Sequence, residues 1–425
     1  MSNARSLEEW LRVQETIHGP GIDLGLTRVR AVAERMQLLP FAPRTIIVAG
    51  TNGKGSTVAC LEAMLRARGV RTGAFTSPHL IRYNERIRVD GAEGPDAELI
   101  AAFEAIDAAR GEITLTFFEY NALAALEVFR ARAVEVAILE VGLGGRLDAV
   151  NIVDAEAAIV CSIGLDHADW LGTDIEVIGR EKAGVFRAGA IAVLADPAMT
   201  ASVEQEARRI GARAVRAGRE YSWRVFPDGH WSFAMGAWQL ESLPPPALPG
   251  STQHANAAAS IATLHAMGLL AVADAALLGR ALISLSLPGR FQAVPGTVEW
   301  ILDVAHNEAA ARVLAHNLAA RPAAGRTLCV AAILGDKDIA AVARVLDPEI
   351  DAWILCGIDA PRGLTARELA GRAPAFTAAA LAQDIPAGMR LAAASARPGD
   401  RIVVCGSFLA VAPAMQQLYL LNAMR

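Results

Sequence analysis

The run TIIVAGTNGKGSTVACLEAMLRARG constrains the fold of this chain more than any other segment. Thr45 to Gly50 is a short apolar, β-branched stretch that ends in glycine. Gly50, Gly53 and Gly55 then surround Lys54, and the following residues keep helical spacing up to a glycine stop at Gly69. Strand, glycine-rich loop and helix in that order make a phosphate cradle. Glycines let backbone N–H groups approach an anion, the helix adds the positive end of its dipole, and Lys54 adds a full charge. Ser56 and Thr57 offer hydroxyls to a phosphate or a cation. The loop departs from the strict Walker A pattern, because Val48 stands where its first glycine would be and Gly55 follows the lysine. A tight turn with no ligand would not need a lysine and two hydroxyls at these positions, so a nucleotide-binding loop is expected.

The rest of the chain repeats the strand–helix alternation. Strand-like runs occur at Arg71 to Ser77, Val134 to Gly142, Ala155 to His167 and Ile191 to Asp196, with helical periodicity over 115–132. Around residues 285–297, SLPGRFQAVPGT is rich in Pro and Gly. Beyond it the alternation resumes at Val298 to Asp303, Thr327 to Leu334, Ala352 to Ile358 and Arg401 to Ser407. The pattern predicts an α/β protein with a mostly parallel sheet covered on both faces, followed by a second, smaller α/β domain. The expected boundaries are an N-terminal domain over 1–287, a linker over 288–297 and a C-terminal domain over 298–425.

Polar residues at the ends of these strands are the candidate site. Glu140 ends VAILE and is a hard oxygen ligand suited to the Mg²⁺ that a nucleoside triphosphate brings. Ser77 and His167 follow other strands, but each alone is as readily a structural or capping residue. GLGGRLDAVN lacks the G-x-G-x-x-G spacing of a dinucleotide fingerprint. Arg146 and Asp148 within it read as loop residues over the site or as an exposed ion pair. Lys182, in REKAGVF, reads on its own as part of a charged helix start. In the second half, LPGRF offers Arg290, DVAHN offers Asp303, His306 and Asn307, and LGDKD offers Asp336, Lys337 and Asp338. Asp303 and Asn307 also suit helix N-caps, and Asn256 alone is simply a helix residue.

Composition removes several classes. A formal net charge of -5 does not suit a nucleic-acid binder. Five scattered cysteines with no C-x-x-C argue against a disulfide framework or zinc site and fit a reducing compartment. The first residues carry no apolar signal core, and the longest uncharged stretch, Ser242 to Ala273, is broken by prolines and glycine. A cytoplasmic protein with no membrane partner is expected.

Taken together and in order, GTNGKGST, TSPHL, TFFE, LEVGLGGRLDAVN, GLDHADWLG, EKAG, LPGRF and DVAHN resemble the bifunctional dihydrofolate synthase/folylpolyglutamate synthases of the Mur ligase superfamily. The resemblance spans nearly the whole chain. It implies a P-loop, Mur-ligase-like central domain with a parallel sheet and a smaller Rossmann-like C-terminal domain. It also implies an ATP-dependent ligase that adds L-glutamate to dihydropteroate and to reduced folates through an acyl phosphate. Carried over residue by residue, Gly53, Lys54, Gly55 and Ser56 would hold the co-substrate ATP, with Asn256, Arg290 and Asp303 contacting it as well. Ser77, Glu140 and His167 would hold Mg²⁺. Lys182 would be carbamylated, and it would act with Lys54 and His167 in catalysis. The pteroate would lie against Gly25, Leu26, Thr27 and Arg28, against Thr116, Phe117, Phe118 and Glu119, and against Leu147, Asp148 and Ala149. Partners would be small molecules only, and the chain would act as a monomer.

Three other readings compete. A monofunctional folylpolyglutamate synthase would lack the pteroate activity, yet DLGLTRV, TFFE and LDA match the pteroate-binding form. A cell-wall Mur ligase would be expected to carry a uridine-nucleotide domain ahead of the loop, where only about 45 residues stand. A nucleotide-binding switch or transporter ATPase would not need the polar clusters of the second half.

Overall fold

The computed structural model describes residues 5–19, 23–250, 252–271 and 274–423, with side chains to residue 419. It divides into two compact units. The first comprises residues up to Ile163, Leu171–Ala247 and Gln253–Leu285. The second comprises Gly164–Trp170, Leu248–Thr252 and the chain from Ser286 onward.

The first unit is built on an eight-stranded sheet. Its strands are β1 (Arg44–Ala49), β2 (Thr72–Phe75), β3 (Ile87–Val89), β4 (Ala92–Glu93), β5 (Val136–Glu140), β6 (Ala157–Val160), β7 (Ile191–Leu194) and β8 (Arg213–Arg216). The order is β4-β3-β2-β5-β1-β6-β7-β8. The run from β2 to β8 is parallel, and β3 and β4 add antiparallel at one edge. β1, β5 and β6 are buried along nearly their whole length, which is why they read as continuous apolar runs rather than alternating ones. The helix Lys54–Ala67 starts directly after β1, as the glycine-rich loop predicted. Thr116 caps the helix Phe117–Ala131 through a reciprocal capping box with Glu119, a start signal legible in TFFE.

Three further strands, β9 (Tyr221–Val225), β10 (Trp231–Met235) and β11 (Trp238–Leu243), form an antiparallel meander that the strand–helix reading did not anticipate. The aromatic side chains of Tyr221, Phe233 and Trp238 are buried in it.

The second unit holds a six-stranded sheet of β12 (Gln292–Val294), β13 (Glu299–Asp303), β14 (Thr327–Ala331), β15 (Ala352–Cys356), β16 (Ala380–Ala382) and β17 (Arg401–Cys405), ordered β12-β13-β17-β14-β15-β16. All pairs are parallel except β12 with β13. Residues 292–294, read from the sequence as linker, are therefore an edge strand. Their Pro and Gly neighbours masked a three-residue ladder against Trp300, Ile301 and Leu302. All five cysteines are free and buried. Among the described residues no helix is long and apolar enough to cross a membrane.

Candidate active site

In the first unit the β1/β5 register sets Val48 opposite Glu140, so the carboxylate ends its strand level with the start of the glycine-rich loop. Glu140 is 5% exposed, and its Oε2 accepts from the backbone N–H of Ser77 at 3.3 Å. Two of the three residues expected around a metal thus meet at one strand end. The third, His167, lies in the segment Gly164–Trp170, which packs as part of the second unit. Among the described residues no three His, Cys, Asp or Glu side chains gather as a metal cage. The available donor set is a carboxylate and a hydroxyl, which suits a hard cation that keeps phosphate and water ligands.

The loop itself is folded around Lys54. Its Nζ donates to the carbonyls of Gly50 at 2.9 Å and Thr51 at 3.1 Å. Lys182 Nζ, 5% exposed, donates to the same Gly50 oxygen at 3.2 Å. The side chains of Lys54 and Lys182 thus converge on one carbonyl at the start of the loop. Lys182 stands in the last turn of the helix Ile175–Ala183, which corrects the expectation of a helix start. The sequence signal was ambiguous because Arg180, Glu181 and Lys182 suit either end, and only the glycine that follows marks the stop.

Gly53 takes a left-handed φ of 89° at the helix N-cap, and a Cβ there would meet Asn256 Oδ1 at 2.9 Å. Asn256, from the helix Thr252–Ala266, is thus tight against the phosphate loop, and Thr57 donates its hydroxyl to Asn256 Oδ1 at 3.5 Å. Thr57 also pairs with Cys161 Sγ, so its hydroxyl serves the interior rather than a ligand. The Gly53→Ala variant combines strain of about 1–3 kcal/mol with loss of the close approach. It is expected to lower the thermal midpoint and raise the KM for the nucleotide at least about tenfold. Thermal unfolding and nucleotide-dependent kinetics check both.

Ser162 went unnoticed in the sequence. Its hydroxyl accepts from Asn52 N–H and donates to Asn52 O, both at 3.1 Å, while its carbonyl accepts from Thr51 N–H at 2.8 Å. It clamps the outer side of the loop. Its only signal was its place just past an apolar strand.

The expected acceptor residues form a second cluster in this unit. Arg28 contacts both Asp23, at 2.6 Å, and the buried Glu119, at 3.2 Å. Phe118 packs over Gly142, where a Cβ would meet the ring at 2.6 Å, and its ring centroid lies 5.7 Å from that of Phe75. Asp148 is 2% exposed, and its carboxylate accepts from the N–H groups of Gly142, Leu143 and Val150. It closes the GLGGR loop from within, so the exposed-ion-pair alternative is overturned for it. That alternative describes Arg146, which is well exposed and bonds Glu181 at 3.0 Å. Gly145 fits where a Cβ would meet the Lys182 carbonyl at 2.7 Å, so the loop and the end of the Lys182 helix are in contact.

Burial pushes the Asp148 carboxyl up to about 6, against the backbone N–H groups and Lys54, which favour its charged form. The folded state therefore holds this proton more tightly than the unfolded chain. Its contribution to stability is complete below the unfolded value near 3.8 and is lost as pH rises through about 6. The unfolding free energy of the protein is expected to fall relative to that of Asp148→Asn across this window. Denaturant titrations of both proteins from pH 4 to pH 7 check the sign. Burial, then the Arg86 charge, holds His79 down to about 4, so this imidazole is neutral.

The second unit gathers Arg290, Asp303 and the DVAHN and LGDKD residues. Asp303 ends β13, and its carboxylate accepts from Phe291 N–H and Ala305 N–H, each at 2.8 Å. Burial raises its pKa against the nearby Arg290 charge. It is a strand-end tie and not a helix cap. Asn307 is the cap, accepting from Ala310 N–H at 2.9 Å. The Arg290 guanidinium lies 5.2 Å from the centroid of the Phe408 ring. Asp166 joins Lys337 at 2.6 Å and Asn307 Nδ2 at 3.1 Å, with His306 Nε2 at 3.4 Å. Burial raises the Asp166 carboxyl, but His306, His167 and Lys337 outweigh it and hold the pKa well below the usual range. This network fixes the backbone beside His167, whose own N–H donates to Asp166 Oδ1 at 2.8 Å.

Known proteins share the sequence and the fold of this chain. Residues 48–264 match the Mur ligase middle domain and residues 289–408 the Mur ligase glutamate ligase domain. The chain is 45% identical over 416 residues to the dihydrofolate synthase/folylpolyglutamate synthase of Escherichia coli K12, covering 97% of this chain and 96% of that one. It is 30% identical over 379 residues to the Mycobacterium tuberculosis protein of the same name, covering 82% and 77%. The fold superposes with a TM-score of 0.93 on Escherichia coli FolC in complex with DHPP and ADP, at 43% identity and 99% coverage of both chains. It superposes with a TM-score of 0.90 on the bifunctional enzyme of Yersinia pestis complexed with AMPPNP and Mn ion, at 44% identity and 98% coverage of both chains. With both Mur ligase domains matched and identity sustained end to end, this chain belongs to the dihydrofolate synthase/folylpolyglutamate synthase family of Mur ligases.

Proposed function

We propose that the protein joins the amino group of L-glutamate to the carboxylate of dihydropteroate, and extends reduced folates in the same way, through an acyl phosphate. The observation that carries the reading is the convergence of Lys54 and Lys182 on Gly50 O beside the buried Glu140 strand end. Relatives named as bifunctional synthases over nearly the full length support both acceptors. An acid and an amine do not condense in neutral water, so the carboxylate must be activated.

In the first step a carboxylate oxygen bonds to the γ-phosphorus while the bond to the bridging oxygen of ADP breaks. In the second, the glutamate nitrogen bonds to the acyl carbon, the C–O bond to phosphate breaks, and the nitrogen gives up its proton to solvent. Lys54 and the N–H groups of Gly53, Gly55 and Ser56 take the charge that gathers on the transferring phosphoryl group. Asn256 holds the loop from the helix side, and Arg290 and Asp303 contact the nucleotide. We assign Mg²⁺ to Ser77, Glu140 and His167, and it supplies charge neutralisation at the phosphate oxygens when bound. We assign a carbamate to Lys182, a group whose remaining N–H can still donate to Gly50 O. Gly25 to Arg28, Thr116 to Glu119 and Leu147 to Ala149 surround the pteroate.

Phosphate release from ATP tests the reading. With L-glutamate and Mg²⁺ it is expected with dihydropteroate and, separately, with a reduced folate. Release with the folate alone reduces the protein to a chain-extending ligase, and release with neither overturns the assignment.

A further inference from the structure

Arg86 ends the short 3₁₀ turn Tyr83–Arg86 that leads into β3, and it is 7% exposed. Its guanidinium lies 5.9 Å from the centroid of the Tyr83 ring and 5.4 Å from that of Phe117. Nε donates to His79 Nδ1 at 2.7 Å, and this is the guanidinium's one hydrogen bond to the described residues. No carboxylate pairs with it, although the charges of Glu140 and Glu85 lie near enough to favour its protonated form. Neither terminal nitrogen is sealed off without a partner, so both keep some access to open space. A guanidinium withdrawn from water, stacked on rings and held by one nitrogen is costly to keep unless an anion completes it.

The location says which anion. Phe117 opens the helix whose first turn holds Phe118 and Glu119, the proposed acceptor residues. The charge of Glu140, the proposed metal carboxylate, also reaches Arg86. The acceptor's reacting carboxylate must lie between its own ring system and the metal-bound phosphate. We propose that the two terminal nitrogens of Arg86 receive the carboxylate of the acceptor acid as a fork, aiming one oxygen at the phosphoryl group. His79 and the two rings fix the guanidinium plane for this, because a lysine at the same place would present one point charge without a plane. The inference rests on the proposed acceptor reading and adds a residue that the motif-by-motif resemblance did not single out.

The test is equilibrium binding of dihydropteroate and of its carboxamide, which keeps the ring system and lacks the charge, to the wild type, Arg86→Lys and Arg86→Ala. Acid binding is expected to weaken about 10- to 100-fold in Arg86→Ala and less in Arg86→Lys. Carboxamide binding and the KM for ATP are expected to stay within about threefold. Thermal unfolding of each variant accompanies the titrations. If Arg86→Ala does not fold, Arg86→Lys carries the comparison. Equal losses for acid and carboxamide would make Arg86 a packing residue and overturn the proposal, as would unchanged acid binding. A wild type that ligates dihydropteroate yet binds acid and carboxamide alike removes Arg86 alone. A wild type that neither binds nor ligates dihydropteroate removes the acceptor reading with it.

Discussion

Lys54→Ala is expected to lose turnover by at least about 10²–10³-fold while keeping its fold. The lysine is the first residue of its helix, and its two hydrogen bonds run to carbonyls of its own loop, Gly50 and Thr51. Lys54 makes no ion pair among the described residues, and Gly50 O retains Lys182 at 3.2 Å. The architecture therefore has little reason to fail. What disappears is the cation placed to meet phosphoryl charge as it redistributes during transfer, an interaction worth more in the transition state than in the ground state. The loss should fall on kcat more than on the KM for the acceptor. Steady-state kinetics with a thermal melt as control separates the two. A variant with near-normal kcat would remove Lys54 from the chemistry and leave the glycine-rich turn as mere architecture.

Glu140→Gln should be nearly as damaging, with a different signature. The carboxylate is buried at the end of β5, and its Oε2 accepts from Ser77 N–H. An amide of the same shape can keep that hydrogen bond and the strand pairing with Val48, so stability should change little. It cannot supply the negative charge that a divalent ion needs. Activity is expected to fall about 10- to 100-fold or more at ordinary Mg²⁺, with the half-saturating Mg²⁺ concentration moved upward by a similar factor. A Mg²⁺ titration of activity reads this directly. Unchanged Mg²⁺ dependence would take Glu140 out of the metal shell.

The α/β architecture was legible because buried parallel strands write themselves as unbroken apolar runs. β2, β5, β6, β7, β13, β14, β15 and β17 all fall inside runs visible in the sequence, and β1 starts one residue before its run. The meander of β9 to β11 was not, since its burial alternates along Trp238–Leu243 and charged residues interrupt it. β12 was hidden by its prolines and glycines, and β3, β4 and β16 are three residues or fewer.

Among the candidate site residues, the glycine-rich loop and Glu140 could be reasoned from chemistry alone, because strand ends and helix starts are where charge is needed. Asn256, Lys182 and Asp148 could not. Asn256 and Lys182 meet partners distant in sequence, Gly53 and Gly50, while Asp148 turns its carboxylate onto backbone amides of its own loop that no pattern announces. Arg86 shows the same limit from the other side. Nothing in RYNERIRV distinguishes it from Arg82 or Arg88, and only the fold withdraws it from water while leaving it without a carboxylate. Arg88, by contrast, finds Glu62 at 2.9 Å.

The most direct test of acyl-phosphate ligation is the fate of the acceptor's oxygens. Dihydropteroate labelled with ¹⁸O in its carboxylate would be incubated with the protein, ATP, Mg²⁺ and L-glutamate, and the products analysed by mass spectrometry. We predict the glutamyl amide with one labelled oxygen retained and the other transferred to inorganic phosphate. Amide formed with unlabelled phosphate, or ATP hydrolysed with no amide at all, would contradict it.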